Sequence, residues 1–345
     1  MEIRAALVGQ ARIREAARWM GRPSAVEVRR ERSPRLLRRE DTLLKLYDLN
    51  RFFRAEASLI NTFTVPWPDE HAWEAAVSPD GDVGVFCKDD AVCAVTSSGV
   101  VLWEHRGHGR DHPKENRSSC RVTDDGRYVW AMLVGEVGGG SYLGDEWLVL
   151  EADSGRVVSR ETLDCAAVGG EHLSHPDGQH MGLGVGEGQD GAHMYWGRLE
   201  DGVLRVWTHD DDDRILTDVH PNGLSFITFT LPDEIAWHSF PGGALIRSLT
   251  AMDAWGPASG DDEPYWDVGG GYIDADTVLA TATAYAKTPQ DARHILIDSP
   301  TGTTRGEVRY PLPVTGYARP LADGTWLTAE NDTVFRWRVS RARDS

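Results

Sequence analysis

The feature that most constrains this chain is an internal repeat. An Asp, a short apolar segment and a polar turn that usually ends in Gly recur seven times. The mean spacing between successive copies is about 48 residues. The copies begin at Asp41, Asp90, Asp145, Asp190, Asp233, Asp291 and Asp332. A unit of this length cannot bury its apolar surface alone, so the copies must pack against one another.

A second landmark, a tight turn, lies upstream of the Asp in most copies. The turns are Ser78–Gly81, Thr123–Gly126, His175–Gly178, His220–Gly223 and Leu321–Gly324, and Ile273–Asp276 takes the corresponding place in the sixth copy without a Gly. Asp-Gly and Asn-Gly tolerate the positive φ of such turns. Apolar and polar residues alternate between the landmarks, as in half-buried strands. Each copy therefore predicts four antiparallel strands, the content of one propeller blade.

Three copies carry a more specific resemblance, to the WD40-repeat family. That family combines an SPDG-like turn, a strand of the form Asp-x-Thr-Val-x-x-Trp-Asp and a turn that ends in Gly. Asp41–Asp48 has Tyr in place of the Trp, Asp332–Arg338 has Arg in place of the final Asp, and Asp233–His238 fits more loosely. The similarity covers residues 24–340. It implies an all-β, seven-bladed β-propeller, or a six-bladed one if the first copy is not a blade.

The two ends of the chain are expected to cooperate. The last copy ends soon after its third strand, so its fourth strand must come from the N-terminus, from Met1–Gly9 or Ala25–Arg29. Ile13–Met20 places its apolar residues on one face of a short helix. We therefore divide the chain into an N-terminal segment, residues 1–24, that supplies a closing strand, a short helix or both, and a WD40-like propeller over residues 25–345.

The net charge and its distribution along the chain limit the classes of partner that we expect the protein to bind. The formal net charge is -18 and the pI is about 5.0, which argues against a nucleic-acid platform and against docking on an anionic membrane. Residues 1–40 are locally basic, with eleven Arg and five Glu, and suit folding back onto the acidic remainder or binding an acidic partner.

The short apolar run Ala5–Gly9 is not a signal sequence, so a cytoplasmic location is expected. The four cysteines form no C-x-x-C pair and are expected to be buried thiols.

Catalytic signatures are not found in the sequence. It contains no G-x-S-x-G elbow, no P-loop and no H-E-x-x-H motif. One literal G-x-G-x-x-G, Gly186–Gly191, leads into a predicted strand rather than a helix, which favours a plain loop over a dinucleotide site. We predict no catalytic residue and no cofactor.

The candidate binding residues lie in long loops, which on rigid scaffolds commonly carry function. His108, Arg110 and His112 belong to a cationic loop that could hold a metal ion or an anionic group, or could simply be solvated. The segment Ala251–Asp267, predicted as a loop, combines aromatic with acidic side chains and suits a basic or mixed partner. Its candidate residues are Trp255, Asp261, Asp262, Glu263, Tyr265 and Trp266.

Two functions from different classes fit these observations. The first is a non-catalytic platform that binds a protein partner through the long-loop face. The alternative is a propeller enzyme or a metal-dependent sugar or lactone binder, with its site at the mouth of the central channel. A stoichiometrically bound divalent ion would favour the alternative, and the sequence leaves the metal undecided.

Overall fold

A computed structural model describes most of the chain and is predominantly β-structure. The residues described are 2–13, 26–28, 34–40, 42–67, 73–108, 118–138, 141–209, 213–230, 234–256, 263–284 and 292–340. Four-stranded antiparallel sheets recur along them, which confirms the all-β prediction and fits a propeller-like fold.

The described residues form thirty strands, two short helices and one 3₁₀ turn. Strands β1 to β15 are Glu2–Arg12, Val26–Glu27, Arg35–Glu40, Leu43–Asp48, Leu59–Thr64, Glu74–Val77, Val83–Lys88, Ala91–Thr96, Val101–Arg106, Ser119–Val122, Tyr128–Leu133, Val137–Gly138, Ser141–Tyr142, Asp145–Glu151 and Val157–Leu163. Strands β16 to β30 are Gly169–Ser174, His180–Gly186, Ala192–Glu200, Val203–Thr208, Arg214–Val219, Ser225–Thr230, Glu234–Ser239, Leu245–Thr250, Pro264–Asp274, Thr277–Ala284, Arg293–Asp298, Thr303–Arg309, Arg319–Pro320, Thr325–Glu330 and Thr333–Val339. Helices α1 and α2 are Leu49–Phe53 and Ala251–Trp255, and Gly188–Asp190 is a 3₁₀ turn.

The chain forms two compact units. The middle unit contains Arg35–Asp48 and Leu59–Ile215. The terminal unit contains Met1–Pro34, Leu49–Ser58 and Leu216–Ser345.

The middle unit consists of stacked antiparallel sheets. Strands β6 to β9 form one sheet, β10, β11, β14 and β15 form the next, and β16 to β19 form another, while β3, β4 and β5 are neighbours in a further sheet. Each pair of consecutive sheets shares an apolar cluster. One cluster contains both Val92 and Leu148, and another contains both Trp147 and Leu183. Burial of both faces of a sheet in this way gives the strands their almost wholly apolar inner segments.

The terminal unit holds the ends of the chain together. Strands β20 to β23 form a four-stranded antiparallel sheet. Strand β1 joins two further groups, β24 to β27 and β28 to β30, into one eight-stranded sheet. Glu2–Arg4 pair in parallel with β27, whereas Ala5–Arg12 pair antiparallel with β30, with a register shift between Leu7 and Gly9. The N-terminal strand thus supplies the fourth strand beside β28, β29 and β30.

The turns predicted from the sequence all join consecutive strands of a sheet. Ser78–Gly81 connects β6 to β7 and His175–Gly178 connects β16 to β17, and the other four turns occupy the same position in their sheets. The glycine adopts positive φ, for example 86° at Gly81 and 69° at Gly178. A side chain at the first turn position often closes the turn, as Thr123 does by accepting a hydrogen bond from the Tyr128 amide at 3.1 Å.

The structure bears on three further expectations from the sequence. The segment Ala251–Asp267 is not a continuous loop, because its ends form α2 and the start of β24. The helix expected over Ile13–Met20 lies outside the described residues, apart from Ile13, which is buried. The glycine-rich Gly186–Gly191 does lead into a strand, as predicted.

The structure also shows the state of the four cysteines and the length of the helices. All four cysteines are free, and Cys87, Cys93 and Cys165 are buried while Cys120 is half-buried. Cys87 and Cys93 belong to different apolar clusters on opposite faces of their sheet, so they do not face each other across the hairpin. None of the helices within the described residues is long and apolar enough to cross a membrane.

Candidate functional site

A groove in the terminal unit brings a predicted binding residue together with charged side chains. It lies where β26 begins and β27 ends, beside helix α2, and has a volume of about 390 Å³. An adjoining hollow of about 230 Å³ shares Trp255, Arg293 and Glu307 with it. We call this the Trp255 groove, and its main lining residues are Trp255, Arg293, His294, Glu307, Arg309 and Leu312.

Local sequence places Trp255 at the rim. Strand β23 ends at Thr250, whose side chain caps α2 by accepting a hydrogen bond from the Asp253 amide at 3.1 Å. The helix stops after one turn at Gly256, which has φ 93°. Trp255, its last residue, is half-buried, with part of its ring against the core cluster between β22 and β25. Trp255 also lines the groove.

Two arginines and two carboxylates supply the charged groups of the groove. The Arg293 guanidinium carbon lies 3.9 Å from the centroid of the Trp255 ring, a cation–π contact. Glu307 lies between Arg293 and Arg309, with nitrogen–oxygen distances of 3.8 Å and 3.0 Å. Arg309 also contacts the exposed Glu2 at 3.1 Å. Each guanidinium group carries five N–H donors, and the carboxylates of Glu307 and Glu2 accept only some of them, so donors remain available to an incoming acceptor.

The back of the groove is a closed hydrogen-bond chain. Trp326 Nε1 donates to the Tyr310 hydroxyl at 2.9 Å, Tyr310 lies 2.6 Å from His294 Nδ1, and His294 Nε2 lies 3.0 Å from the Gly316 carbonyl. Since the carbonyl can only accept, His294 Nε2 carries the proton and Nδ1 accepts from Tyr310. Burial lowers the pKa of His294 to about 4, so the ring is neutral at pH 7. The chain is satisfied internally and serves to hold Tyr310 and His294 in place.

Trp266, predicted as a binding residue, is a core residue. Its side chain is 0% exposed, and its indole nitrogen donates to the Leu249 carbonyl at 3.0 Å. Strand β24 begins two residues earlier and directs this ring inward, so Trp266 does not belong to a contact surface. This segment is a strand and not the expected loop. Successive side chains of a strand point to opposite faces of the sheet, and that of Trp266 points into the core.

The other predicted residues are not gathered into one site by the described structure. His108 is exposed at the end of β9, Glu263 is exposed, and Tyr265 is half-buried. Arg110, His112, Asp261 and Asp262 lie outside the described residues. Of the nine candidates, Trp255 is the one that the described residues place in a groove, and the sequence did not single out its companions Arg293, Glu307 and Arg309.

A second cluster, in the middle unit, has the donor types of a metal site. His175, Asp177 and His180 each offer one ligand atom, and these atoms lie within 4.8 Å of one another. His175 Nδ1 is 3.0 Å from Asp177 Oδ1, and His180 Nδ1 is 2.6 Å from Asp177 Oδ2. Burial alone would raise the pKa of Asp177, but hydrogen bonds from both imidazoles and from two backbone amides hold it far below its ordinary value. Among the described residues this is the one such group, and it does not include His108.

Comparisons with known proteins add nothing to the geometry. No protein-family model matches the sequence, and no curated protein matches it significantly.

Proposed function

We propose that the protein is a non-catalytic interaction platform and that the Trp255 groove binds a segment of a protein partner. The observation that carries the proposal is the Trp255–Arg293 pair at the rim of a concave surface. Tryptophan and arginine dominate the binding energy of protein interfaces, particularly where they border a pocket that a partner side chain can fill.

The groove indicates the chemistry of the partner segment. Leu312 and Val314 offer apolar surface beside the indole, which suits an aliphatic or aromatic side chain. Arg309 is 53% exposed and Arg293 is 44% exposed, so both can rotate to donate to a carboxylate. The preferred ligand is therefore an extended peptide in which an acidic residue lies close to an apolar one. The sequence led us to expect a basic or mixed partner for this segment, whereas the two exposed arginines favour an acidic and apolar one.

A peptide selection tests this proposal. Short random peptides displayed on phage are selected against the full chain, and the enriched peptides are titrated into variants. We expect acidic and apolar sequences whose affinity falls at least about 30-fold in Trp255→Ala, corresponding to roughly 2 kcal/mol for a hot-spot residue. Arg309→Gln should weaken them as well.

A matched control is available elsewhere in the chain. Trp67 is also half-buried, and its ring faces the Lys88 ammonium group at 5.3 Å, but it belongs to the middle unit. Trp67→Ala should leave peptide affinity unchanged. Peptides that bind Trp255→Ala as well as the wild type would rule out the groove as the binding surface.

We further propose that the four-stranded sheets are blades of one seven-bladed propeller resembling the WD40 family. Support comes from the seven Asp-led copies, from the four-stranded sheets and from the way β1 completes the sheet of β28 to β30. A cytoplasmic location, and a preference for protein over nucleic-acid or membrane partners, stay predictions from the sequence.

A further inference from the structure

Two turns of the chain share a sequence pattern but differ at the two positions that matter for metal binding. His175-Pro176-Asp177-Gly178 and His220-Pro221-Asn222-Gly223 both connect the first two strands of a sheet. In both, the first histidine accepts a hydrogen bond at Nδ1 from the backbone amide two residues later, at 3.3 Å and 3.0 Å. The first histidine is thus part of the turn itself. Asp177 and His180 distinguish the first turn, since Asn222 and Ser225 occupy the corresponding positions in the second.

Both histidines of the first turn face the carboxylate of Asp177. His175 Nδ1 lies 3.0 Å from Oδ1 and His180 Nδ1 lies 2.6 Å from Oδ2, and the three residues offer ligand atoms that lie within 4.8 Å of one another. A metal cation can take the place of the protons in these contacts, because imidazole and carboxylate groups bind metals in their deprotonated forms.

We infer that His175, Asp177 and His180 bind a divalent transition-metal ion of the zinc, cobalt or nickel class. Two imidazole nitrogens and one carboxylate oxygen suit these ions, whereas Mg²⁺ and Ca²⁺ prefer sets made of oxygen alone. Adjacent ligands in a tetrahedral zinc site lie about 3.4 Å apart, given bonds of about 2.1 Å. The observed nitrogen–oxygen separations, 3.0 Å from His175 to Oδ1 and 2.6 Å from His180 to Oδ2 of Asp177, would have to widen towards this value when an ion binds. Three protein ligands leave one coordination position for water or for a ligand.

The surroundings hold the ligands in orientation. The His175 ring packs edge-on against Trp196, with centroids 6.0 Å apart, and the His180 ring packs in the same way against Trp207 at 5.8 Å. Metal-binding histidines need such support to keep their rings fixed. Arg198 pairs with His180 in register across β17 and β18, but its guanidinium binds Gln179 at 2.9 Å and Glu200 at 3.0 Å. Its positive charge is therefore partly neutralised beside the site.

Zinc titration of the full chain tests the inference. The protein is dialysed against a chelator, freed of the chelator and titrated with ZnCl₂ by calorimetry, and cobalt is added separately to record its visible absorption. We expect the double variant Asp177→Asn/His180→Ser to bind one ion fewer per chain than the wild type, or to bind it at least about 100-fold more weakly, since loss of supporting residues alone costs about 10–100-fold. The substitutions copy residues that the second turn already carries, so the variant should fold.

Two control variants show whether a loss of zinc binding is specific to this cluster. His220→Gln alters the matching turn, and His108→Gln alters the exposed histidine of the cationic loop, and both should bind zinc at this site like the wild type. A wild type that binds no zinc would overturn the inference. So would a double variant that retains the wild-type number of ions and the wild-type affinity.

Discussion

At the residue scale, the tryptophans show how similar side chains take different roles. Trp266 and Trp255 lie eleven positions apart in the segment that was predicted to be one loop. Trp266 is fully buried with its indole nitrogen satisfied by Leu249, whereas Trp255 is half-buried at the rim of a groove. The sequence could propose both as binding residues but could not separate them, because the helix and strand that orient them depend on packing within the terminal unit.

The two tryptophans should respond differently to truncation. Trp266→Ala removes a fully buried ring and should lower the free energy of unfolding by about 3–5 kcal/mol. Trp255→Ala should cost much less stability, since the Trp255 side chain is only partly buried, while it weakens peptide binding. Urea unfolding of both variants measures the difference, and equal destabilisation by the two would contradict the assignment of Trp255 to a surface.

A buried histidine forms another residue-level network in the middle unit. Trp147 Nε1 donates to His172 Nε2 at 2.9 Å, so His172 carries its proton on Nδ1 and donates it to the Ser119 hydroxyl at 2.9 Å. Burial, helped by the positive charge of Arg121, lowers the pKa of His172 to about 3. The neutral ring is therefore part of the folded state.

This network predicts an acid-sensitive fold. In the unfolded chain His172 takes up a proton near the ordinary histidine pKa of 6.5, while the folded protein resists protonation until the pH falls to about 3. Its contribution to stability is therefore complete above pH 6.5 and is lost as the pH falls from 6.5 towards 3, by about 2 kcal/mol between pH 7 and pH 5. His172→Gln should be less stable at pH 7 but should lose less stability on acidification. Urea unfolding at pH 7 and pH 5 checks this, and identical pH dependence in both proteins would refute it.

At the scale of elements, β1 depends on a close approach that the sequence could not reveal. Strand β1 crosses helix α1 at Gly9, where an added Cβ would lie 2.9 Å from the Cβ of Phe53. Arg336 of β30 also binds Asn50 at the start of α1, at 2.6 Å. The helix thus fixes β1 and β30 at the place where the two ends of the chain pair.

Gly9→Ala tests the importance of this contact. The methyl group would force Phe53 or β1 to shift, which should destabilise the protein by about 1–3 kcal/mol. Gly169→Ala is the matched control, because Gly169 also lies in a strand but an added Cβ there would meet nothing within 4 Å. Thermal unfolding should show a lower midpoint for Gly9→Ala than for Gly169→Ala, and the reverse order would contradict the contact.

Elements that are determined by a few neighbouring residues could be predicted well from the sequence. Asp-Gly and Asn-Gly fix a turn through glycine φ, so Ser78–Gly81 and His220–Gly223 could be placed without any knowledge of packing. The short helix α2 and the hairpin of β12 and β13 have no comparable local signal. The candidate site was harder still, because Trp255, Arg293 and Arg309 come from three separate elements and meet only through the fold.

At the scale of the whole molecule, the proposed seven-bladed ring predicts one compact particle. A folded chain of 345 residues should have a radius of gyration of about 20 Å. Small-angle scattering in dilute solution measures it directly. A clearly larger radius, with the profile of two separate bodies, would contradict a single closed propeller.

Peptide binding in the Trp255 groove of this all-β scaffold is tested most directly by hydrogen–deuterium exchange. The exchange of the full chain is compared with and without a peptide from the selection. We predict added protection in helix α2, at residues 292–295 and at residues 307–314. Protection confined to other segments, or no change while the peptide is bound, would contradict the proposed binding surface.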